Sequence, residues 1–127
     1  MLEKRNFYIN GSWVAPKKSS DIEVINPATE KACAVISLGS KDDINDAVLS
    51  AKEAFKTWGY STREDRIALL ETFYTLYKKR WNDITDAIIQ EMGAPRDFAS
   101  KLQTGTGASH TKSFIRYIKE FEIEKPL

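Results

Sequence analysis

The run Gly105-Thr106-Gly107-Ala108-Ser109-His110 is the part of this sequence that most resembles a phosphate-binding loop. A dinucleotide loop of the pattern G-x-G-x-x-G must follow a strand directly, so that backbone N–H groups surround the pyrophosphate. Here His110 stands where the third glycine would be, and the preceding residues have a helical pattern. We therefore favour the interpretation that these glycines allow two helices to pack closely. A small nucleotide binder that uses residues 105–107 is the weaker alternative.

The chain contains one cysteine, Cys33, and one histidine, His110. An attacking thiolate needs positive charge nearby, and the neighbours Ala32 and Ala34 supply none. A metal centre or a catalytic triad built on His110 would need partners from another chain. We predict a small buried side chain at Cys33 and a surface or supporting position for His110. No catalytic and no cofactor-binding residue is assigned to the chain alone.

Charge and composition exclude several classes of partner. The 127 residues include 19 Lys and Arg against 18 Asp and Glu, a net charge of +1, so no global field attracts nucleic acid or anionic lipid. Trp13, Trp58 and Trp81 are expected to anchor a core or an interface. A single cysteine is typical of a reducing compartment, and the N-terminal residues contain no apolar stretch of signal or membrane length. We predict a cytoplasmic protein that binds neither nucleic acid nor a membrane.

Short strands are expected in the first third of the chain. Aromatic and β-branched residues flank Asn10-Gly11, which predicts a β-hairpin at about residues 6–14. Two further short strands, separated by an Asn-Pro turn, are expected over residues 22–25 and 32–36.

Helical periodicity begins at Ser40. Ser40 with Asp43, and Thr62 with Asp65, are capping boxes that open two helices, and capping also explains the acidic residues 42 and 43 without an acid–base role. The first helix ends at Gly59 and is expected to carry one apolar face, which consists of Ile44, Ala47, Val48, Ala51, Phe55 and Trp58. A third helix is predicted over residues 82–92, ending at Gly93, and a last one over residues 96–121, with Pro95 at its start.

The order of elements predicts an α+β fold. Strands come first and helices follow, so the chain alone cannot build a doubly wound parallel sheet. We expect a single partial domain: a hairpin and short strands over residues 6–39, a helical bundle over residues 40–121, and an exit segment over residues 122–127.

Five motifs occur in a familiar order along almost the whole chain. They are Phe7-Tyr8-Ile9-Asn10-Gly11-Ser12-Trp13-Val14, Val24-Ile25-Asn26-Pro27-Ala28-Thr29-Glu30, Ala54-Phe55-Lys56-Thr57-Trp58, Arg66-Ile67-Ala68-Leu69-Leu70 and Glu91-Met92-Gly93-Ala94-Pro95. Together they resemble the N-terminal segment of the NAD(P)-dependent aldehyde dehydrogenase superfamily, whose members are several times longer. Ala94 stands where the commoner form of the family has lysine.

The resemblance implies an enzyme that oxidises an aldehyde through a cysteine thiolate, passes hydride to NAD or NADP, and releases the product with water activated by a glutamate. None of the family's catalytic or cofactor-binding motifs maps onto this sequence, and Cys33 does not correspond to the nucleophile. The resemblance therefore implies the opening part of a dinucleotide-binding domain without its Rossmann-like sheet, which is inactive and holds no cofactor alone.

The resemblance also implies one peripheral metal site. Some members hold a monovalent cation with a main-chain carbonyl that corresponds to Val24 or Ile25 and with an acidic residue that corresponds to Glu91. The expected ion is Na⁺ or K⁺, which favours oxygen ligands. The alternative for Glu91 is a solvated or capping carboxylate.

An uncovered apolar face is the last expectation, because the family packs this segment against its dinucleotide-binding sheet. The expected exposed residues are Phe73, Tyr77, Phe114, Ile118 and Phe121. Such patches are typical of interfaces. The predicted partner is therefore a second copy of the chain or the missing dehydrogenase core. A non-catalytic interaction or oligomerisation module derived from the family is the alternative function.

Overall fold

The computed structural model of the protein describes residues 1–122. The chain forms two compact units: Met1–Tyr60 with Gln90–Gly93, and Ser61–Ile89 with the residues from Ala94 onward. Apart from Glu122, the expected exit segment lies outside the described residues. The fold is mixed α and β, with the strands before the helices, and this confirms the predicted fold class.

The first unit contains five strands. They are β1 (Leu2–Lys4), β2 (Phe7–Ile9), β3 (Ser12–Val14), β4 (Asp21–Asn26) and β5 (Lys31–Ser37). One sheet has the order β1-β5-β4, in which β1 runs parallel to β5 and β4 runs antiparallel to it. Strand β1 was not predicted. Its three residues are exposed, and they form a strand because β5 supplies a hydrogen-bonding edge.

The second sheet is the predicted hairpin of β2 and β3, which pair antiparallel. Asn10 and Gly11 have φ values of 52° and 75°, the left-handed conformations that a type I′ turn requires. The rings of Tyr8 and Trp13 meet edge to face across the strands, with their centroids 5.2 Å apart. The hairpin prediction is confirmed in position and in turn chemistry.

Asp21 ties the edge strands of the first sheet to its centre. Its carboxylate accepts hydrogen bonds from Arg5 Nε at 2.7 Å and from Ser37 Oγ at 3.0 Å. These two donors lower the pKa of Asp21, with Arg5 the larger cause. Arg5, which follows β1, and Ser37, which ends β5, are thereby held at the start of β4.

Helix α1 (Lys41–Trp58) completes the first unit and begins at the predicted capping box. Asp43 accepts hydrogen bonds from the Ser40 hydroxyl and backbone N–H, at 2.6 and 2.8 Å. The backbone N–H of Lys17 donates to its other oxygen at 2.8 Å. These bonds, led by that from the Ser40 side chain, hold the pKa of Asp43 below its usual 3.8. A buried carboxylate is thus fully explained by capping and by the loop it anchors.

The apolar face predicted for α1 has the expected spacing, but it is not buried. All six of its residues are exposed, and Phe55 retains 69% of its accessible surface. Periodicity identifies a face of a helix and does not supply the surface that covers it.

The remaining helices are α2 (Arg63–Lys79), α3 (Trp81–Met92), α4 (Arg96–Phe98) and α5 (Gly105–Glu120), with a π-helical segment, Ala99–Thr104, between the last two. Helix α2 begins at the predicted Thr62 capping box and packs against α5. The Arg63 guanidinium donates to the carbonyls of Lys119 and Phe121 at 3.3 and 2.8 Å, so it supplies hydrogen-bond donors to carbonyl groups at the C-terminal end of α5.

Within residues 1–122 the hydrophobic core is small. Only Val35, Ala99 and Ala108 are buried hydrophobic residues among them. No helix in this part of the chain combines the length and the apolar character needed to cross a membrane.

Candidate functional site

The first unit contains a β-bulge at the position of the single cysteine. Val24 of β4 lies opposite Ala34 of β5, and Ile25 lies opposite Ala32. Two consecutive residues of β4 thus face residues of β5 that are two apart. Cys33 is the extra residue between them, and a bulge of this kind redirects the side chain it carries.

The Cys33 thiol lies between two main-chain carbonyls. Its Sγ is 3.3 Å from the Val24 oxygen and 3.7 Å from the Gln90 oxygen, so the single S–H proton can be donated to one of them at a time. The side chain is half-buried, less than the buried position that we predicted. Through this contact, β4 and the last turn of α3 lie side by side.

The turn after β4 is held by its own asparagine. The side-chain Oδ1 of Asn26 accepts hydrogen bonds from the N–H groups of Ala28 and Thr29 at 2.9 and 3.3 Å. The main-chain carbonyl of Asn26 accepts from the N–H of Glu30 at 2.8 Å. This is an Asx turn, in which a side chain replaces a backbone acceptor. It directly follows Val24 and Ile25 in β4.

Gly93 fits the end of α3 against that turn. Its φ is +64°, and a Cβ there would lie 3.0 Å from both the Ala28 nitrogen and Pro27 Cγ. Both the conformation and the space therefore require glycine. The predicted end of the third helix at Gly93 is confirmed.

The three predicted cation ligands come from these neighbouring segments. Val24 and Ile25 lie near the end of β4, and Glu91 lies exposed in the last turn of α3, next to Gln90. Main-chain carbonyl and carboxylate oxygens are suitable donors for a hard cation. Within residues 1–122 no three His, Cys, Asp or Glu side chains are grouped as metal ligands. The cation site stays a prediction.

In the second unit, the glycine run is not a loop. Gly105 and Gly107 lie in the first turn of α5, which continues the π-helical segment without a break. The segment therefore lacks the strand-loop-helix geometry of a phosphate site. At Gly107 a Cβ would lie 2.9 Å from Tyr77 Cζ, so α2 and α5 meet where only glycine fits. The close-packing interpretation is confirmed, and His110 is exposed as expected.

A set of buried and partly buried hydrogen bonds surrounds this contact, and we did not predict it. Tyr77 Oη donates to the Thr104 carbonyl at 3.0 Å, and Trp81 Nε1 donates to Ser100 Oγ at 3.0 Å. The hydroxyls of Thr85 and Thr104 are 2.9 Å apart, and Thr85 also donates to the Trp81 carbonyl. Since a hydroxyl has one proton, Thr104 must be the donor to Thr85.

The sequence contains a partial signal for this hydrogen-bonded set. Trp81 and Thr85 are four residues apart, and this spacing places their side chains on one face of α3. Tyr77 lies in the last turn of α2. Their partners could not be identified, because Ser100 and Thr104 are set by the π-helical segment.

Two apolar grooves lie on the second unit, and they include all five residues that we expected to be uncovered. The α2/α5 groove, about 250 Å³, is lined by Leu70, Phe114, Tyr117, Ile118 and Phe121. The α2/α3 groove, about 460 Å³, is lined by Phe73, Leu76, Tyr77, Arg80, Asp83, Ile84 and Ala87. Phe114 is 66% and Phe121 64% exposed. Phe73, Phe114 and Phe121 are exposed as expected, whereas Tyr77 and Ile118 are half-buried.

Known proteins share this fold. A crystal structure of aldehyde dehydrogenase from Bartonella henselae superposes with a TM-score of 0.97 at 47% identity, over 100% of this chain and 27% of that one. Aldehyde Dehydrogenase C from Pseudomonas syringae, solved as a mutant with NAD⁺ and octanal, has a TM-score of 0.92 at 31% identity, over 97% of this chain and 25% of its own. A Pseudomonas 3-succinoylsemialdehyde-pyridine dehydrogenase is 38% identical over 128 aligned positions.

The likeness covers the beginning of much longer proteins. The Pseudomonas relative is matched by 100% of this chain but over only 27% of its own length, and the next relatives over about a quarter of theirs. Residues 13–125 also match the family model described as the aldehyde dehydrogenase family. The chain belongs to the aldehyde dehydrogenase family and corresponds to the N-terminal quarter of its members.

Proposed function

We propose that this chain serves as the N-terminal part of an aldehyde dehydrogenase-like oxidoreductase, which oxidises aldehydes to carboxylic acids with NAD or NADP. The observation that carries the proposal is the family match over residues 13–125 together with the 47% identity to the Bartonella structure. The Pseudomonas syringae relative was solved with NAD⁺ and octanal, which supports a nicotinamide cofactor and an aldehyde substrate.

The chemistry is assigned to the rest of the fold. A nicotinamide bound there would supply the hydride acceptor, and that part would also provide the nucleophilic cysteine, the activating glutamate and the oxyanion donors. The present chain contributes a scaffold: the bulged sheet of the first unit and the helices of the second. Alone, it is proposed to be inactive.

The partner is proposed to cover the two grooves of the second unit. The α2/α5 groove is lined by hydrophobic and aromatic residues alone, so removing its apolar surface from water is favourable. Phe114 and Phe121 together expose most of two large aromatic side chains, and burying a phenylalanine contributes about 1.5–3 kcal/mol. Contact with a dehydrogenase core would supply that burial.

A chimeric enzyme tests this proposal. The N-terminal quarter of the Bartonella dehydrogenase is replaced by this chain, and NADH formation is followed with an aldehyde that the parent oxidises. We expect an active chimera. A Phe114→Asp chimera should lose soluble, active protein, whereas Lys112→Asp, at an exposed position on α5 outside the groove, should retain activity. A folded chimera that fails to oxidise the parent's substrates contradicts the proposal.

The alternative is a non-catalytic interaction or oligomerisation module, which the exposed grooves also favour. Native mass spectrometry of the protein captured from its source cells separates the two functions. A second chain that bears the dehydrogenase core supports the enzyme part, and a defined homo-oligomer without such a chain supports the module. Calorimetry of the chain with NAD should give no heat under either function, since neither uses residues 105–107 for nucleotide.

We further propose that the Val24 or Ile25 carbonyl and the Glu91 carboxylate hold Na⁺ or K⁺ in the assembled protein. The support is the convergence of β4 and the last turn of α3 around Cys33. Glu91→Gln keeps the shape of the side chain and removes its charge. The variant should abolish any rise in thermal midpoint with NaCl or KCl over choline chloride, and an unchanged response contradicts the site.

A cytoplasmic location is the final part of the proposal. It is supported by the single cysteine, which forms no intramolecular disulfide and suits a reducing compartment. Fractionation of source cells, with the protein detected by antibody, tests the location.

A further inference from the structure

We draw no further inference here: the strongest candidate, the Cys33 thiol held between the Val24 and Gln90 carbonyls at the β-bulge, is a lone cysteine for which no second feature of residues 1–122 points to a ligand.

Discussion

The two glycines at the start of α5 should respond in opposite ways to the same substitution. Gly107 lies under the Tyr77 ring, and a methyl group there would displace the phenol that donates to the Thr104 carbonyl. At Gly105 the nearest atoms to an added Cβ are 3.9 Å away, which is an ordinary van der Waals contact. Gly105→Ala is therefore a matched control for Gly107→Ala.

The magnitudes follow from three effects. Alanine gains about 1 kcal/mol over glycine in a helix interior, and this gain applies at both positions. At Gly107 the overlap with Tyr77 costs about 1–3 kcal/mol, and loss of the hydrogen bond to Thr104 costs about 1 kcal/mol more. We expect Gly105→Ala to stabilise the chain by up to about 1 kcal/mol and Gly107→Ala to destabilise it by about 1–3 kcal/mol.

Urea unfolding followed by far-ultraviolet circular dichroism measures both effects. With a slope of about 1.5 kcal/mol per molar urea, the two midpoints should differ by about 1–3 M. Tyr77→Phe removes the hydroxyl that an added methyl meets first, so Gly107→Ala should cost less in that background. Equal midpoints for the two alanine variants, or a more stable Gly107→Ala, would refute the close-packing account.

Three further outcomes are expected. Hydrogen-bond donors lower the pKa of Asp43, so its ionised form stabilises the fold above the ordinary carboxyl pKa, and this stability is lost as the pH falls below about 4. The urea midpoint of Asp43→Asn should therefore depend less on pH in this range than that of the parent. Parallel pH profiles for the two proteins would contradict the role of Asp43. Gly93→Ala should lower the thermal midpoint, since a left-handed alanine costs about 1–2 kcal/mol, whereas Gly39→Ala, with its nearest contact at 3.7 Å, should not. Thr85→Val and Thr104→Val should each destabilise by about 1–3 kcal/mol, and in a double-mutant cycle their effects should be less than additive; strict additivity would show that the two hydroxyls do not interact.

Much of the fold was predictable because its signals are local. Asn10-Gly11 specifies a type I′ hairpin, and Ser40 with Asp43 specifies a helix start, since each feature needs only residues within a few positions of one another. Gly93 likewise ends its helix in the left-handed conformation that glycine adopts most readily. These elements occur where the sequence predicts them.

The features that we missed depend on distant residues. Strand β1 exists because β5 lies beside it, and the bulge at Cys33 arises from a register shift between β4 and β5. The π-helical segment forms hydrogen bonds with Tyr77, Trp81 and Thr85, which lie on other helices. The candidate cation ligands could be named through the resemblance. The position of the Cys33 thiol between the Val24 and Gln90 carbonyls could not be predicted, because these residues are distant in sequence.

The exposed faces show what an amphipathic pattern specifies. Ile44, Val48 and Phe55 recur with helical spacing on α1, yet all three are exposed, as are Phe73 on α2 and Phe114 on α5. A stripe of this kind identifies the side of a helix on which another surface should pack. Capping boxes begin α1 and α2, and Arg63 donates to carbonyls at the C-terminal end of α5, so local polar contacts support these helices without burial of the exposed residues. The proposed role as one part of a larger dehydrogenase therefore requires the rest of that fold to cover these exposed faces.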